Sequence, residues 1–382
     1  MASSIITSPI AGMPVTKVKI AIAGAGLIAQ VEHIPNLISL WDRFEIVGVA
    51  DPSPSGRRLM EQRHGVPTVA SFDELLARRP DALLIAAPDS YHAEFAGRAL
   101  DAGIHVFCEK PLCFSTADID ALIARRNAAK RVLQVGYMKR WDPSYEMLLK
   151  EVEGLGARLR YIAVEVNDPD SWPFSVHQGF QRFSDVPADL IAENKARLSA
   201  QVSKATGTKA DEVIVRAYAD SMASSMIHDL NVVLGLLAHM GIDDILPVAG
   251  SFFAGGQGTA AVLALNGEQA LCQISHVVVP KLADYQERIS LFFDDRRFEL
   301  IFPSPYLNHF QTRLIACKSE GMHLETSEHR NGFEEAFVRE LVGFWESIVN
   351  GAPVRNTAEH ARADIAMIQR IAGLALTART AA

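Results

Sequence analysis

Between Lys17 and Tyr137 the chain alternates apolar runs too short for helices with helix-length segments, and this rhythm restricts the fold more than any other feature. VKIAIAGA (18–25), FEIVGVAD (44–51), DALLIAAP (81–88), HVFCEKP (105–111) and VLQVGY (132–137) read as strands. Helical patterns at 27–41, 53–65, 92–103 and 115–129 lie between them. Strands that are apolar throughout need cover on both faces, so the pattern predicts βαβ units and a doubly wound parallel sheet, an α/β Rossmann arrangement. Ser115, just ahead of the last helix and three residues before Asp118, resembles a capping signal.

After Trp141-Asp142-Pro143 the rhythm changes. YIAVEVND (161–168) reads as a strand, and a long polar excursion with a helical stretch at 185–207 follows it. A helix at 221–239 precedes strand-like runs at 259–279 and 285–302 and a weaker one at 312–317, with NGE and DDR as hairpin turns. Two amphipathic helices, 333–351 and 358–378, end the chain. The expected division is a tail at 1–16, a Rossmann-type α/β domain at 17–141, and an α+β domain at 142–382 with a large, mostly antiparallel open sheet. There is no internal repeat and no low-complexity tract.

Composition narrows the class of protein. Half of the 382 residues are hydrophobic (49%) and only 21% are charged, which suits packed domains and not a disordered chain. With 37 Lys and Arg against 45 acids the net charge is −8, and no basic block offsets it. Such a chain is a poor nucleic-acid or anionic-membrane binder. No stretch approaches the roughly 20 uninterrupted apolar residues of a membrane helix. Residues 1–16 lack the basic and apolar regions of a signal peptide. Four cysteines, Cys108, Cys113, Cys272 and Cys317, are too few for a disulfide scaffold and fit a reducing, cytoplasmic setting.

The strongest local signal is Gly24-Ala25-Gly26-Leu27-Ile28-Ala29, where the first strand passes into its helix. Gly24 permits a tight turn, Gly26 lets backbone approach a pyrophosphate, and Ala29 allows close packing of helix on strand. The free N–H groups of the helix start then face the anion. Asp51 ends the second strand, where a carboxylate accepts hydrogen bonds from an adenosine ribose and repels a 2′-phosphate. NAD is therefore the expected cofactor. Arg57 and Arg58 follow closely and leave NADP open. Glu109-Lys110-Pro111 sits at a strand's carboxyl end, where a lysine can hold a substrate hydroxyl. No CxxC pair, HExxH or tight His/Asp cluster marks a metal site, and no G-x-S-x-G turn marks a serine nucleophile.

Taken together, GAGLIA, Asp51, AAPDSYHAEFAGRALDAGIHVFCEKPL, VGYMKRWDPSY and IHDLN resemble the Gfo/Idh/MocA family of NAD(P)-dependent oxidoreductases over nearly the whole chain past the tail. The resemblance implies a Rossmann domain joined to an α+β domain, with a cleft for a sugar, polyol or inositol between them. It implies that Lys110 contacts the hydroxyl being oxidised. Ala87, Pro88, His92 and Glu109 match the family's cofactor loops, although His92 could equally cap the following helix. The family's second motif is D-x-x-x-H on a helix; His228 matches the histidine, but Ser224 stands where the aspartate belongs. Spacing of four residues places both side chains on one helix face. Asp220 or Asp229 could serve His228 from another direction, and Asn231 completes the HDLN form.

Two further groups are candidates for substrate binding. Tyr137, Lys139, Arg140 and Trp141 either line the cleft or form a cluster at a domain interface. Asn167, Asp168, Trp172 and His177 offer an aromatic ring among hydrogen-bonding groups, as a carbohydrate needs, or a loop tied down by one tryptophan. The expected activity is hydride transfer between nicotinamide and a secondary alcohol or ketone carbon, with Lys110 and His228 as catalytic residues. A glycosidase or lyase using transient oxidation and a non-catalytic sugar sensor are the alternatives. The open sheet predicts a homodimer or homotetramer.

Overall fold

The structure, a computed structural model, describes residues 16–381, so the tail read at 1–16 lies, apart from Thr16, outside the described residues. The chain divides into two compact units, each assembled from separate segments. The first contains the chain up to Met138 with Ser175–Leu198 and Phe337–Arg362. The second contains Lys139–Phe174, Ser199–Ala336 and Ala363–Ala382.

In the first unit six strands form one parallel sheet: β1 (Val18–Ala23), β2 (Phe44–Ala50), β3 (Thr68–Val69), β4 (Ala82–Ile85), β5 (His105–Glu109) and β6 (Leu133–Gly136), in the order β3-β2-β1-β4-β5-β6. Strands β1 and β4 are buried at almost every position, as a sheet covered on both faces requires. Ser115 caps the Thr116–Ala129 helix by accepting the Asp118 N–H, as the sequence predicts. The short β3 and the helix Phe72–Leu76 lack a periodic signal long enough to read. The helix after the glycine turn takes a wide π turn over Ala29–His33 before continuing as Ile34–Ser39.

Two segments expected in the second domain pack within this unit instead. The helix Ala336–Val349 buries Leu341, Val342, Phe344 and Trp345 in the same core as Ile20, Ile22, Leu84 and Phe107. Its apolar stripe is evident in the sequence, but a stripe does not state which sheet covers it. The segment Ser175–Leu198 takes part of the excursion into the first unit, where Arg197 bonds Glu94 (2.6 Å) and Asn194 accepts the Ser90 hydroxyl (2.6 Å).

The second unit holds an eight-stranded sheet: β7 (Leu159–Asp168), β8 (Ile245–Phe253), β9 (Gly258–Leu265), β10 (Ala270–Val278), β11 (Gln286–Phe293), β12 (Arg296–Phe302), β13 (Arg313–Glu320) and β14 (His323–Arg330). The order is β14-β13-β12-β11-β7-β10-β9-β8, antiparallel throughout except for the parallel β7–β10 pair. Thus the fold is mixed α/β, with a Rossmann sheet and a large, mostly antiparallel one. The NGE turn joins β9 to β10, with Asn266, Gly267 and Glu268 all at positive φ. Helical winding from Glu212 to His239 is long and apolar enough to cross a membrane; most of its apolar window is buried inside the protein, so its apolarity is that of a core helix.

His105, at the start of β5, accepts the Val132 N–H on Nδ1 (3.0 Å). Burial, reinforced by nearby Arg131, pushes its pKa from 6.5 down to about 4. The unfolded chain therefore takes up this proton first as pH falls. The ring's contribution is complete above its unfolded pKa and is lost as pH drops towards the folded one. His105→Asn keeps an acceptor that does not titrate. Urea unfolding near pH 7 and near pH 4 is expected to show an acid-induced loss of stability smaller in this variant by roughly 1 kcal/mol, a figure reduced for the partial exposure of the ring.

Candidate functional site

At the carboxyl end of β1 the chain turns at Gly24, with φ at +102°. A Cβ there would lie 2.4 Å from the Ala86 carbonyl oxygen, just past β4, so conformation and contact both demand glycine. At Gly26, by contrast, an added Cβ meets nothing within 4 Å. The turn is closed behind Gly24 and open at Gly26, where the helix begins with Gln30 N–H donating to the Gly26 carbonyl (3.0 Å). Such a cradle fits a dinucleotide pyrophosphate. Leu27 and Ile28 form the first helical positions and Ala29 is fully buried against the sheet.

Asp51 follows β2 and is buried. One carboxylate oxygen accepts the Ala25 N–H and the other accepts the Ser53 N–H, both at 2.8 Å. Burial pushes its pKa up, and the two backbone bonds oppose that shift. Each oxygen keeps acceptor capacity for a ribose hydroxyl. Arg57 points its guanidinium back at the Asp51 and Pro52 carbonyls (2.7 and 3.2 Å), and Arg58 is exposed.

Strand register brings the other cofactor-loop residues level with this turn. Ala23 pairs with Ile85, and Ile85 with Cys108, so the ends of β1, β4 and β5 share one edge where the strand order reverses. His92 is buried and bridges the Ala87 carbonyl (Nε2, 2.9 Å) and the Pro111 carbonyl (Nδ1, 2.8 Å). It thereby ties the Ala87-Pro88 loop to the loop carrying Lys110. Lys110 is half-buried, and the Lys110–Pro111 peptide is cis.

Glu109 is turned inward. It contacts His33 Nε2 (2.7 Å) and accepts the Lys110 N–H (3.1 Å). Burial would raise its pKa, but the bond and charge of His33 outweigh this and hold it below the usual carboxylate range. Nearby Glu340, wholly buried, is pushed far up by burial and by the neighbouring acids Glu109 and Glu32. Glu109 and His33 thus form the footing under Lys110. Tyr137 is fully buried, with its carbonyl accepting from Asn356 Nδ2 (2.8 Å).

In the second unit His228 lies on the helix Ile227–His239, which continues the π-wound segment Arg216–Met226. Ser224 and His228 are half-buried and Asp220 is exposed, while Ser221, Met222, Ala223, Met226 and Ile227 are buried. Ser224 and His228 therefore belong to the less buried face. Asp229 points the other way, wholly buried, 3.5 Å from Lys139 Nζ. Burial raises its pKa against the pull of Lys139 and His276. Lys139 also pairs with Glu287, which accepts the Tyr285 hydroxyl (2.6 Å). Buried His276 receives Ser221 Oγ on Nδ1 (2.7 Å), with Asp168 3.8 Å from Nε2.

Glu287, Tyr285, His276 and Ser221 were not anticipated by sequence reasoning. A signal existed: Glu287 shares strand parity with buried Ile289 and Leu291, and His276 with buried Cys272 and Ile274. A charged or titratable residue in an inward register is a marked departure from the period-2 pattern.

Arg140 donates to the Asn231 carbonyl (2.7 and 3.2 Å) and lies against Gly235, while Asn231 Nδ2 bonds Asp364 (2.7 Å). Trp141 is buried, and Trp172 is 41% exposed, with its backbone N–H donating to the Asp170 carboxylate (2.8 Å). His177 is exposed in the first unit. Asn167 needs correction as a companion of Asp168. The pleat sends successive side chains to opposite faces, and Asn167 joins Glu165 and Gln286 in an exposed row, whereas Asp168 approaches His276 on the helix-covered face. Among the described residues, no group of three or more His, Cys, Asp or Glu side chains is gathered to hold a metal ion.

Residues 18–137 match the model of the Gfo/Idh/MocA family, described as an oxidoreductase family with an NAD-binding Rossmann fold. Inositol 2-dehydrogenase 3 of Saccharopolyspora erythraea is 32% identical over 154 residues, 39% of this chain and 45% of that protein. Inositol 2-dehydrogenase of Klebsiella pneumoniae is 32% identical over 139 residues, 35% of this chain and 41% of its own length. The chain thus matches less than half the length of these curated relatives. Among solved structures, a UDP-N-acetylglucosamine 3-dehydrogenase from Acidithiobacillus ferrooxidans aligns over 94% of this chain and 99% of its own, with a TM-score of 0.68 at 20% identity. A 3-ketoreductase from Actinomadura kijaniata, in complex with NADP and TDP-benzene, aligns over 93% and 97%, with a TM-score of 0.70 at 17% identity. At these identities the solved structures show a shared fold.

The two glycines separate folding from binding. Gly24→Ala is expected to destabilise the protein by about 2–4 kcal/mol, from positive φ and the collision with Ala86. Gly26→Val is expected to change stability by less than about 1 kcal/mol, because its side chain enters open space. It is nevertheless expected to weaken dinucleotide binding on the order of a hundredfold by filling the cradle. Denaturant unfolding and calorimetric titration with NAD measure the two effects independently.

Proposed function

We propose that this protein is an NAD(P)-dependent oxidoreductase that transfers hydride between nicotinamide and a secondary alcohol or ketone carbon of a sugar, polyol or inositol. The observation that carries the reading is the shared edge of the first unit, where the cradle at Gly24–Gly26, Asp51 and Lys110 stand at the ends of neighbouring strands. The match of residues 18–137 to an NAD-binding oxidoreductase family supports the cofactor, and the names of the curated relatives support the substrate class. The sparse use of cysteine, four residues in the chain, supports a reducing and cytoplasmic location.

In this reading the turn at Gly24–Gly26 and the following helix start hold the pyrophosphate, and Asp51 accepts from the adenosine ribose. The nicotinamide, when bound, supplies the hydride acceptor or donor at its C4. Lys110 donates to the substrate oxygen and so holds the reacting carbon in place. Its backbone is fixed by Glu109, and its loop is fixed by His92. As the alcohol C–H bond breaks, the hydroxyl loses its proton; His228 accepts it, and returns it in the reverse direction. Asp229 faces Lys139 and keeps the helix of His228 on its sheet. Association into a homodimer or homotetramer through the open face of the eight-stranded sheet is part of the same proposal, and light scattering on the purified protein reads the mass directly.

Lys110→Ala is expected to lower turnover by about 10²–10⁴ while NAD affinity stays within roughly threefold. His228→Asn is expected to lower turnover by about 10² and to alter the pH profile of turnover. Nicotinamide absorbance with a panel of sugars, polyols and inositols supplies the rates. Wild-type turnover in Lys110→Ala would remove that residue from the mechanism. Glycoside cleavage without net cofactor reduction would replace hydride transfer to product with transient oxidation.

A further inference from the structure

The excursion after β7 returns to the first unit at the nucleotide edge. Arg63 donates to the carbonyls of Gln178 and Gly179. Gln30, whose amide also donates to the Ala25 carbonyl in the glycine turn (2.8 Å), exchanges two bonds with the Gln181 backbone (3.0 and 3.1 Å). Phe183 lies over Gly56, where a Cβ would come within 2.9 Å of its ring. Residues 178–185 thus form a strap running from the helix Pro54–His64 past the glycine turn and back to the start of that helix.

The strap ends with Asp185 on three donors. Its carboxylate accepts from Ser53 Oγ, from Ser55 N–H (2.8 Å) and from Ser55 Oγ (2.7 Å). These bonds hold its pKa down to about 2, so it is an anion at any physiological pH. Ser53 is shared: its N–H serves Asp51 and its hydroxyl serves Asp185. The carboxylate that receives the adenosine ribose in the proposed function therefore shares Ser53 with a second carboxylate, supplied from 132 positions beyond that serine in the chain. The two acids sense one another electrostatically.

Ser53 Oγ, the Ser55 N–H and hydroxyl, and Arg57 just beyond form the donor set that a ribose 2′-phosphate would seek at this helix start. Asp185 already takes three of those donors, and Arg57 is turned to carbonyls. We infer that Asp185 is a specificity-determining residue, occupying the place of a 2′-phosphate and selecting NAD against NADP. The inference rests on the proposed dinucleotide reading of the edge. Asp51 alone repels a phosphate by charge; Asp185 adds a second charge and removes the ligands. An NADP phosphate would have to displace the strap's anion while carrying close to two negative charges of its own.

The test is binding of adenosine fragments to the full chain without substrate, by calorimetry, using AMP and adenosine 2′,5′-bisphosphate. Wild type is expected to favour AMP. Asp185→Ala should raise affinity for the bisphosphate by at least about tenfold and leave AMP within about twofold, since only the bisphosphate gains donors and loses a repelling charge. Asp185→Glu, which keeps the charge, should retain the wild-type order. Turnover ratios with NAD and NADP should shift in parallel. An unchanged preference in Asp185→Ala overturns the inference while leaving the dehydrogenase reading intact. An equal gain for both fragments also overturns it, and makes the strap a general cover. Failure of wild type to bind NAD, NADP or AMP overturns the nucleotide reading itself, and this inference with it. Circular dichroism and thermal melting of each variant separate these outcomes from misfolding.

Discussion

Asp51 joins two loops with one carboxylate. Its bonds to Ala25 and Ser53 fix the glycine turn after β1 and the helix start after β2, so the nucleotide edge is set by a buried acid that spends both oxygens on backbone. Gly24 makes this possible, since only a residue without a side chain can pass the Ala86 carbonyl there. In the proposed function these bonds hold the turn's N–H groups in place for a pyrophosphate, which reduces the ordering cost of binding.

A parallel device supports Lys110. Glu109 and His33 form a buried pair under its backbone, and His92 bridges the two loops that flank it. None of these three side chains needs to meet substrate to matter. They tie down the backbone that carries Lys110, and in the proposed function that positioning matters because misplacement at a reacting centre is expensive in rate. In the second unit a comparable burial of charge, Lys139 with Asp229 and Glu287, lies beneath the helix that carries His228. Both candidate catalytic side chains thus project from elements secured by buried polar contacts, Glu109 with His33 in the first unit and Lys139 with Asp229 and Glu287 in the second.

How much of this was legible beforehand depended on the range of the interaction. The β1, β2, β4, β5 and β6 strands and the NGE hairpin carry their own apolar periods and turn residues, and each is found where those patterns place it. Strand β14, HLETSEHR, lies at the sheet edge with mostly exposed polar residues, so no alternation announces it. Strand β8 is the opposite edge, interrupted by Pro247 and a register shift, so its sequence carries no clean alternation either. Asn167 and Asp168 are parted by one step of a pleat: adjacent residues in a strand are neighbours in sequence and on opposite faces in space.

The amino-acid sequence by itself determined the alternation of strands and helices, the glycine turn, the acid at the end of β2, and the lysine at the end of β5, all of which are local and periodic. Tertiary structure alone decided that the Ala336–Val349 helix completes the first core and that Asp185 sits on Ser53 and Ser55. The physical reason is that a period reveals which face of an element must be buried but not against what. Closing a long loop costs little more than closing a short one, since the entropy grows only with the logarithm of its length. A carboxylate 132 residues away from Ser53 can therefore be placed on that residue, beside Asp51, with no trace in the local pattern, by the strap contacts of Gln30, Gly56 and Arg63 that only the folded chain brings together.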